Sequence, residues 1–118
     1  MGSKTRHIEH ALLLASLSEH AKFKHGAVLV KRGKVMGEGK NSYTMSAQSR
    51  YARSSVHAES NAMCHADVRG AVMYVARLAS YGPAMSRPCA RCESCMRNAG
   101  ITKVVFTAPK GEIEQIVL

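Results

Sequence analysis

GAVLVKRGKVMGEG, from Gly26 to Gly39, is the stretch on which the fold turns. Two short apolar runs flank Lys31-Arg32-Gly33, and a glycine there supplies the backbone freedom a tight turn needs. The stretch predicts a β-hairpin. Upstream, residues 4–21 predict a helix, because Ile8, Leu12, Ala15 and Leu17 recur three or four apart. Downstream, a Ser-rich polar stretch over 40–56 leads to an expected second helix over 57–65, with Ser54 and Ser55 as candidate N-caps. AVMYVA (71–76) has the length of a strand, and a loop containing Gly82, Pro83 and Pro88 follows it. A short helix over 89–98, ended by Gly100, comes next, and KVVFT (103–107) reads as a further strand. The tail EIEQIVL (112–118) fits a strand or a helix. Strands alternating with helices predict an α/β chain whose central sheet is covered on both faces.

The 118 residues fit a single domain over 1–118, and 46% apolar content excludes a disordered chain. Apolar runs such as residues 11–15 and 71–76 are too short to span a bilayer, and no apolar signal region is visible at the N-terminus. A cytoplasmic setting is therefore expected. In a reducing compartment four cysteines point to metal or catalysis rather than to disulfides. Seventeen Lys and Arg against eight Asp and Glu give a net charge of +9, which favours anionic partners. Simple solubility is the plainer reading of the same charge.

Two motifs carry chemistry: His57-Ala58-Glu59 and Pro88-Cys89-Ala90-Arg91-Cys92, each at an expected helix start. Cysteines three apart on a first helical turn share a face, and the helix N-terminus favours the thiolate that binds metal. With the His57 imidazole, the donors number three, a set that suits Zn2+ and leaves a position open. Glu59 can then serve as a proton shuttle beside the metal without ligating it. Singly these motifs are weak. Together, in this order and with Pro88 before Cys89, they match the zinc-deaminase signature.

The segments HGAVLVKRGKVMGEGKN, HAESNAM and SRPCARCESCMRNAGITKVVF resemble the cytidine and deoxycytidylate deaminase superfamily over nearly the whole chain. The resemblance is to the branch with His as first ligand, nearest in character to small deoxycytidylate-deaminase-like proteins. It implies a three-layer α/β/α fold with a mixed central sheet of about five strands. It also implies zinc between two helix N-termini, held by His57, Cys89 and Cys92, with Glu59 as proton shuttle. Gly39-Lys40-Asn41 falls on a family G-x-N motif, which implies that Asn41 contacts sugar or base; a strand-capping turn residue is the alternative. The Ala58 peptide group is implied to bond the pyrimidine carbonyl.

The resemblance thins in places. Only fifteen residues separate Asn41 from His57, without the insertion and second zinc site common in deoxycytidylate deaminases. The stretch 77–87 before Pro88 is longer than the usual link. Glu93-Ser94-Cys95 replaces the Gly-Ala that commonly follows in tRNA adenosine deaminases, which tilts the reading to cytosine. Cys95 continues the three-residue spacing and could close a structural site as a fourth ligand, but Glu59 would then lack a role. Cys64 and Tyr74 read as core, and Tyr43, Tyr51 and Tyr81 lie in expected loops where one could stack on a base. His7, His10, His20, His25 and His65 show no ligand spacing and read as solvated or capping residues.

No Asp or Glu occurs over 39–58 or 68–92, which leaves Arg50, Arg53 and Arg87 as expected substrate-phosphate contacts. Arginines spread over a solvated surface are the alternative. Three functions follow in order. The first is hydrolytic deamination of a cytosine nucleoside or nucleotide (cytidine, CMP or dCMP). The second is deamination of cytosine or adenine within single-stranded DNA or RNA. The third is a non-catalytic zinc-stabilised nucleic-acid-binding module. Four Tyr, two Phe and no Trp make a long stacking platform hard to assemble, which favours the first. No membrane partner is expected, and a homo-oligomer is.

Overall fold

The computed structural model describes residues 3–17, 24–40, 42–43, 55–56, 69–88 and 90–118. It opens with helix α1 (Ser3–Ser16), then strands β1 (Lys24–Lys31), β2 (Lys34–Lys40), β3 (Ser42–Tyr43) and β4 (Ser55–Val56). After them come β5 (Val72–Ala79), β6 (Gly82–Ala84), helix α2 (Ala90–Ala99), β7 (Lys103–Thr107) and β8 (Ile113–Val117). Five strands run in the order β2-β1-β5-β7-β8, and the short β6 pairs with the end of β5. β5 and β7 are parallel, while the other ladders are antiparallel, so the sheet is mixed as expected. β3 and β4 form a separate two-stranded ribbon.

The hairpin forms where its turn residues predict it. Arg32 and Gly33 both take positive φ, 55° and 77°, the mirror-image turn whose twist matches antiparallel strands. Leu29 pairs with Gly37 and Val30 with Val35, so Met36 is the extra residue of a bulge.

Alternation along three central strands builds two cores from one sheet. Ala27, Leu29, Met73, Val75, Val104 and Phe106 face one side and meet Cys92 and Met96 of α2. Val28, Val30, Tyr74, Ala76 and Val105 face the other and meet Ile8 and Ala11 of α1. The result is the three-layer α/β/α arrangement with Tyr74 in the core, as expected.

Several expectations need correction. Leu17 is exposed in the turn that ends α1, and Ala11 takes a place in the buried stripe instead. The strand expected over 71–76 continues to Ala79, and the loop expected over 77–87 contains β6, because Arg77, Leu78 and Ala79 find partners in Ala84, Pro83 and Gly82. The undecided tail is strand β8: it covers the open edge of β7, and Ile116 and Leu118 rest against the α2-side core. His7 is neither solvated nor a cap. It is 5% exposed, with its ring centroid 4.8 Å from that of Tyr74. His10 does sit near the surface, paired with Glu38 of β2. The expected helix over 57–65, with Cys64 and His65, and the positions of His20 and Tyr51 lie outside the described residues.

α1 crosses β1 at Gly26, where a Cβ would stand 2.0 Å from the Ala11 carbonyl oxygen and 2.6 Å from the Ala15 nitrogen. Gly26→Ala should therefore force the helix off the sheet, at a cost of about 3 kcal/mol, the upper end of ordinary overpacking. Urea unfolding measures it, with Leu13→Ala on the exposed side of α1 as a near-neutral control. Burial, reinforced by the Arg6 and His10 charges, lowers the His7 pKa below its ordinary value. The unfolded chain then protonates His7 more readily, so stability from the neutral ring is full above pH ~6.5 and is lost as pH falls below it. His7→Phe should flatten the fall in stability between pH 7 and 5; an unchanged slope would remove His7 as its source.

Candidate active site

A parallel strand pair needs a crossover connection, and here the segment from β5 to β7 supplies it with β6 and α2. The crossover brings the start of α2 to the carboxyl ends of β5 and β7, where ligand crevices form in open α/β sheets. The approach is fixed by hydrogen bonds. The Ser86 N–H donates to the Thr107 carbonyl at 2.9 Å, pinning the segment before Pro88 to the end of β7. Inward and outward residues alternate along it: Ala84, Ser86 and Pro88 are buried, and Met85 and Arg87 are exposed.

α2 then presents two cysteines in different settings. Cys92, in the first turn, is buried in the core with Val75 and Phe106, whereas Cys95 is exposed. The helix ends at Gly100 as expected. Gly100, with φ 93°, donates to the Arg97 carbonyl at 3.1 Å, and Ile101 donates to that of Met96 at 3.0 Å, a Schellman closure. Ile101 and Met96, the positions a hydrophobic contact accompanies in this closure, both lie in the core.

Glu93 sits in the first turn of α2, where the helix dipole favours a carboxylate. Arg97 reaches it at 3.3 Å and Arg87 at 3.9 Å. Arg91 is exposed on the same turn. Tyr81 is exposed at the tip of the β5–β6 hairpin.

Of the expected site residues, Cys92 and Arg87 are described. His57, Ala58, Glu59, Cys89, Asn41, Arg50 and Arg53 lie outside the described residues. Among the described residues no three His, Cys, Asp or Glu side chains gather as metal ligands. Of the expected ligands only Cys92 is described, and its place in the first turn of α2 is one that favours a metal-binding thiolate. Arg87 is not a bare phosphate clamp, since Glu93 already shares its charge. Sequence reasoning missed Ser86 and Thr107, whose hydroxyls meet at 2.8 Å beneath the motif. The Glu93–Arg97 pair was readable from its four-residue spacing.

A family model described as the cytidine and deoxycytidylate deaminase zinc-binding region matches residues 1–108, across both motifs. The chain belongs to this family. A comparison with curated proteins found no match. Among solved structures the chain is similar to the dCMP deaminase of cyanophage S-TIM5 in apo form, at 22% identity and a TM-score of 0.70, over 92% of this chain and 85% of that one. The same phage enzyme in complex with dCMP and dUMP aligns at 22% identity and a TM-score of 0.68, over 89% and 80%. Cytidine deaminase from Burkholderia pseudomallei aligns at 23% identity and a TM-score of 0.73, over 98% and 92%. At these identities the likeness carries the fold, and the family supplies the deaminase class and its zinc-binding description. No described helix is long and apolar enough to cross a membrane.

Proposed function

We propose that this chain is a zinc-dependent hydrolase that deaminates a cytosine nucleoside or nucleotide. Water replaces the exocyclic amine at C4, giving the uracil form and ammonia. The observation that carries the reading is the family match over 1–108, which takes in His57-Ala58-Glu59 and Pro88-Cys89-Ala90-Arg91-Cys92. The place of Cys92 in the first turn of α2, where the helix N-terminus favours a thiolate, supports it.

His57, Cys89 and Cys92 would hold the metal, and cytoplasmic reducing conditions keep the thiols available to it. Zinc bound there supplies a Lewis acid that lowers the pKa of water towards about 7. Glu59 takes the water proton and returns it to the ring nitrogen and then to the leaving amine. Asn41 and the Ala58 peptide group hold the sugar and the pyrimidine carbonyl. Arg50, Arg53 and Arg87 attract the phosphate, with Arg87 shared with Glu93. Deamination within single-stranded nucleic acid is the second reading, favoured by the +9 charge and by Tyr81, exposed on the hairpin that leads into the motif. Further copies of the chain complete the expected partners.

Three measurements test this reading. Cys92→Ala should abolish stoichiometric zinc in metal analysis, while Cys95→Ala, changed at an exposed position, should retain it; zinc retained by Cys92→Ala would overturn the ligand set. Glu59→Gln should keep zinc and substrate binding while kcat falls by about two to four orders of magnitude. Wild-type turnover in that variant would place the shuttle elsewhere. Assayed across a salt series, dCMP should give a higher kcat/KM than cytidine, with the shallow salt dependence of one phosphate contact. A strong oligonucleotide preference that collapses with salt would favour the second reading. Ammonia release from no substrate, with zinc bound, would leave a zinc-stabilised binding module.

A further inference from the structure

β5 changes partners in mid-strand. It pairs with β7 up to Val75 opposite Phe106, and from Arg77 onward it pairs with β6. At such a fork the ladder between β5 and β7 stops, and the backbone groups on either side need other partners. Two buried hydroxyls supply them. Thr107 Oγ1 accepts the Arg77 N–H at 3.2 Å and donates to the Ala84 carbonyl at 2.6 Å. Ser86 Oγ accepts the Thr107 N–H at 2.8 Å and donates to the Val75 carbonyl at 2.9 Å. The two oxygens lie 2.8 Å apart, and each hydroxyl proton has an acceptor. Ser86 is 3% exposed and Thr107 1%, so the fork is held by protein groups.

The same step of the sheet supports both ends of the segment leading into the motif. Ser86 hydrogen-bonds to Val75, and Cys92, six residues on, packs in the core that contains Val75 and Phe106. Pro88 lies buried between them with a restricted φ and no N–H of its own. The hydroxyl fork is thus the fixed point from which α2 starts. Resting on the deaminase reading above, we propose that Ser86 and Thr107 are positioning residues: they set where the first turn of α2 presents Cys92, and so how firmly the site holds zinc.

The test uses zinc-loaded protein. Thr107→Val keeps the shape and removes the hydroxyl; Thr107→Ser keeps the hydroxyl. Zinc release to a chromogenic chelator, kcat and KM, and the Tm of the metal-free protein are measured for each. Thr107→Val should release zinc about tenfold faster, the scale of losing support around a metal ligand. Its kcat should fall with little change in KM, and Thr107→Ser should restore both. Ser86→Ala, which leaves the bonds from Thr107 to Ala84 and Arg77 in place, carries the same test if Thr107→Val fails to fold. Ile8→Ala, in the core on the opposite face, controls for general loss of stability. Equal zinc release in wild type and variants, or equal acceleration in Ile8→Ala at the same fall in Tm, would overturn the inference alone. A wild-type protein that binds no zinc would overturn the deaminase reading and this inference with it.

Discussion

Parallel pairing of β5 with β7, set among antiparallel ladders, constrains everything near the site. Two adjacent parallel strands cannot be joined by a tight turn, so the chain must leave the sheet, cross one face and return. α2 is that crossing, and its apolar side, Cys92 and Met96, is what the α2-side core receives. Its first turn then arrives at the carboxyl end of the pair. The Pro88-Cys89-Ala90-Arg91-Cys92 motif gains its place from the topology, and no local preference of those five residues would supply it.

The fork at Val75 follows from the same constraint. Beyond that residue β5 turns to β6, and the hairpin so formed carries Tyr81 outward and returns the chain to β7. Interrupting a buried ladder leaves donors and acceptors that each cost roughly 1–3 kcal/mol if unsatisfied. Ser86 and Thr107 remove that penalty with short side chains that also fit a closed space. A small polar network is thereby built into the framework immediately ahead of the motif.

Charge is arranged with similar economy. The chain is strongly basic, yet Glu93 stands in the first turn of α2 with Arg87 and Arg97 around it. The helix start favours the carboxylate, which in turn holds Arg87 and Arg97 beside the first turn of α2. On the far face, His7 is buried with Arg6 and His10 as the charged groups acting on it. With its pKa lowered by burial, the imidazole favours the neutral form in that setting and stands against the Tyr74 ring.

Much was legible locally. The hairpin declared itself through Arg32-Gly33, the sheet covered on both faces through strands alternating with helices, and the end of α2 through Gly100, because these signals depend on residues a few positions apart. The motif residues and the family to which they belong were equally a matter of residue type and spacing. The rest depended on distant partners. Ser86 and Thr107 are 21 positions apart, and neither has meaning without the other. Tail residues 113–117 became a strand because β7 offered an open edge, and residues 77–79 became one because β6 folded back on them. Cys92 and Cys95 look alike in sequence, but the first is buried in the core that contains Val75 and Phe106 while the second remains exposed. Sequence by itself determined the turns, the period of α1 and the residue types of the two motifs. Tertiary structure decided which polar groups lost their water, because burial is a property of the neighbours and the chain writes those neighbours far from the residue they cover.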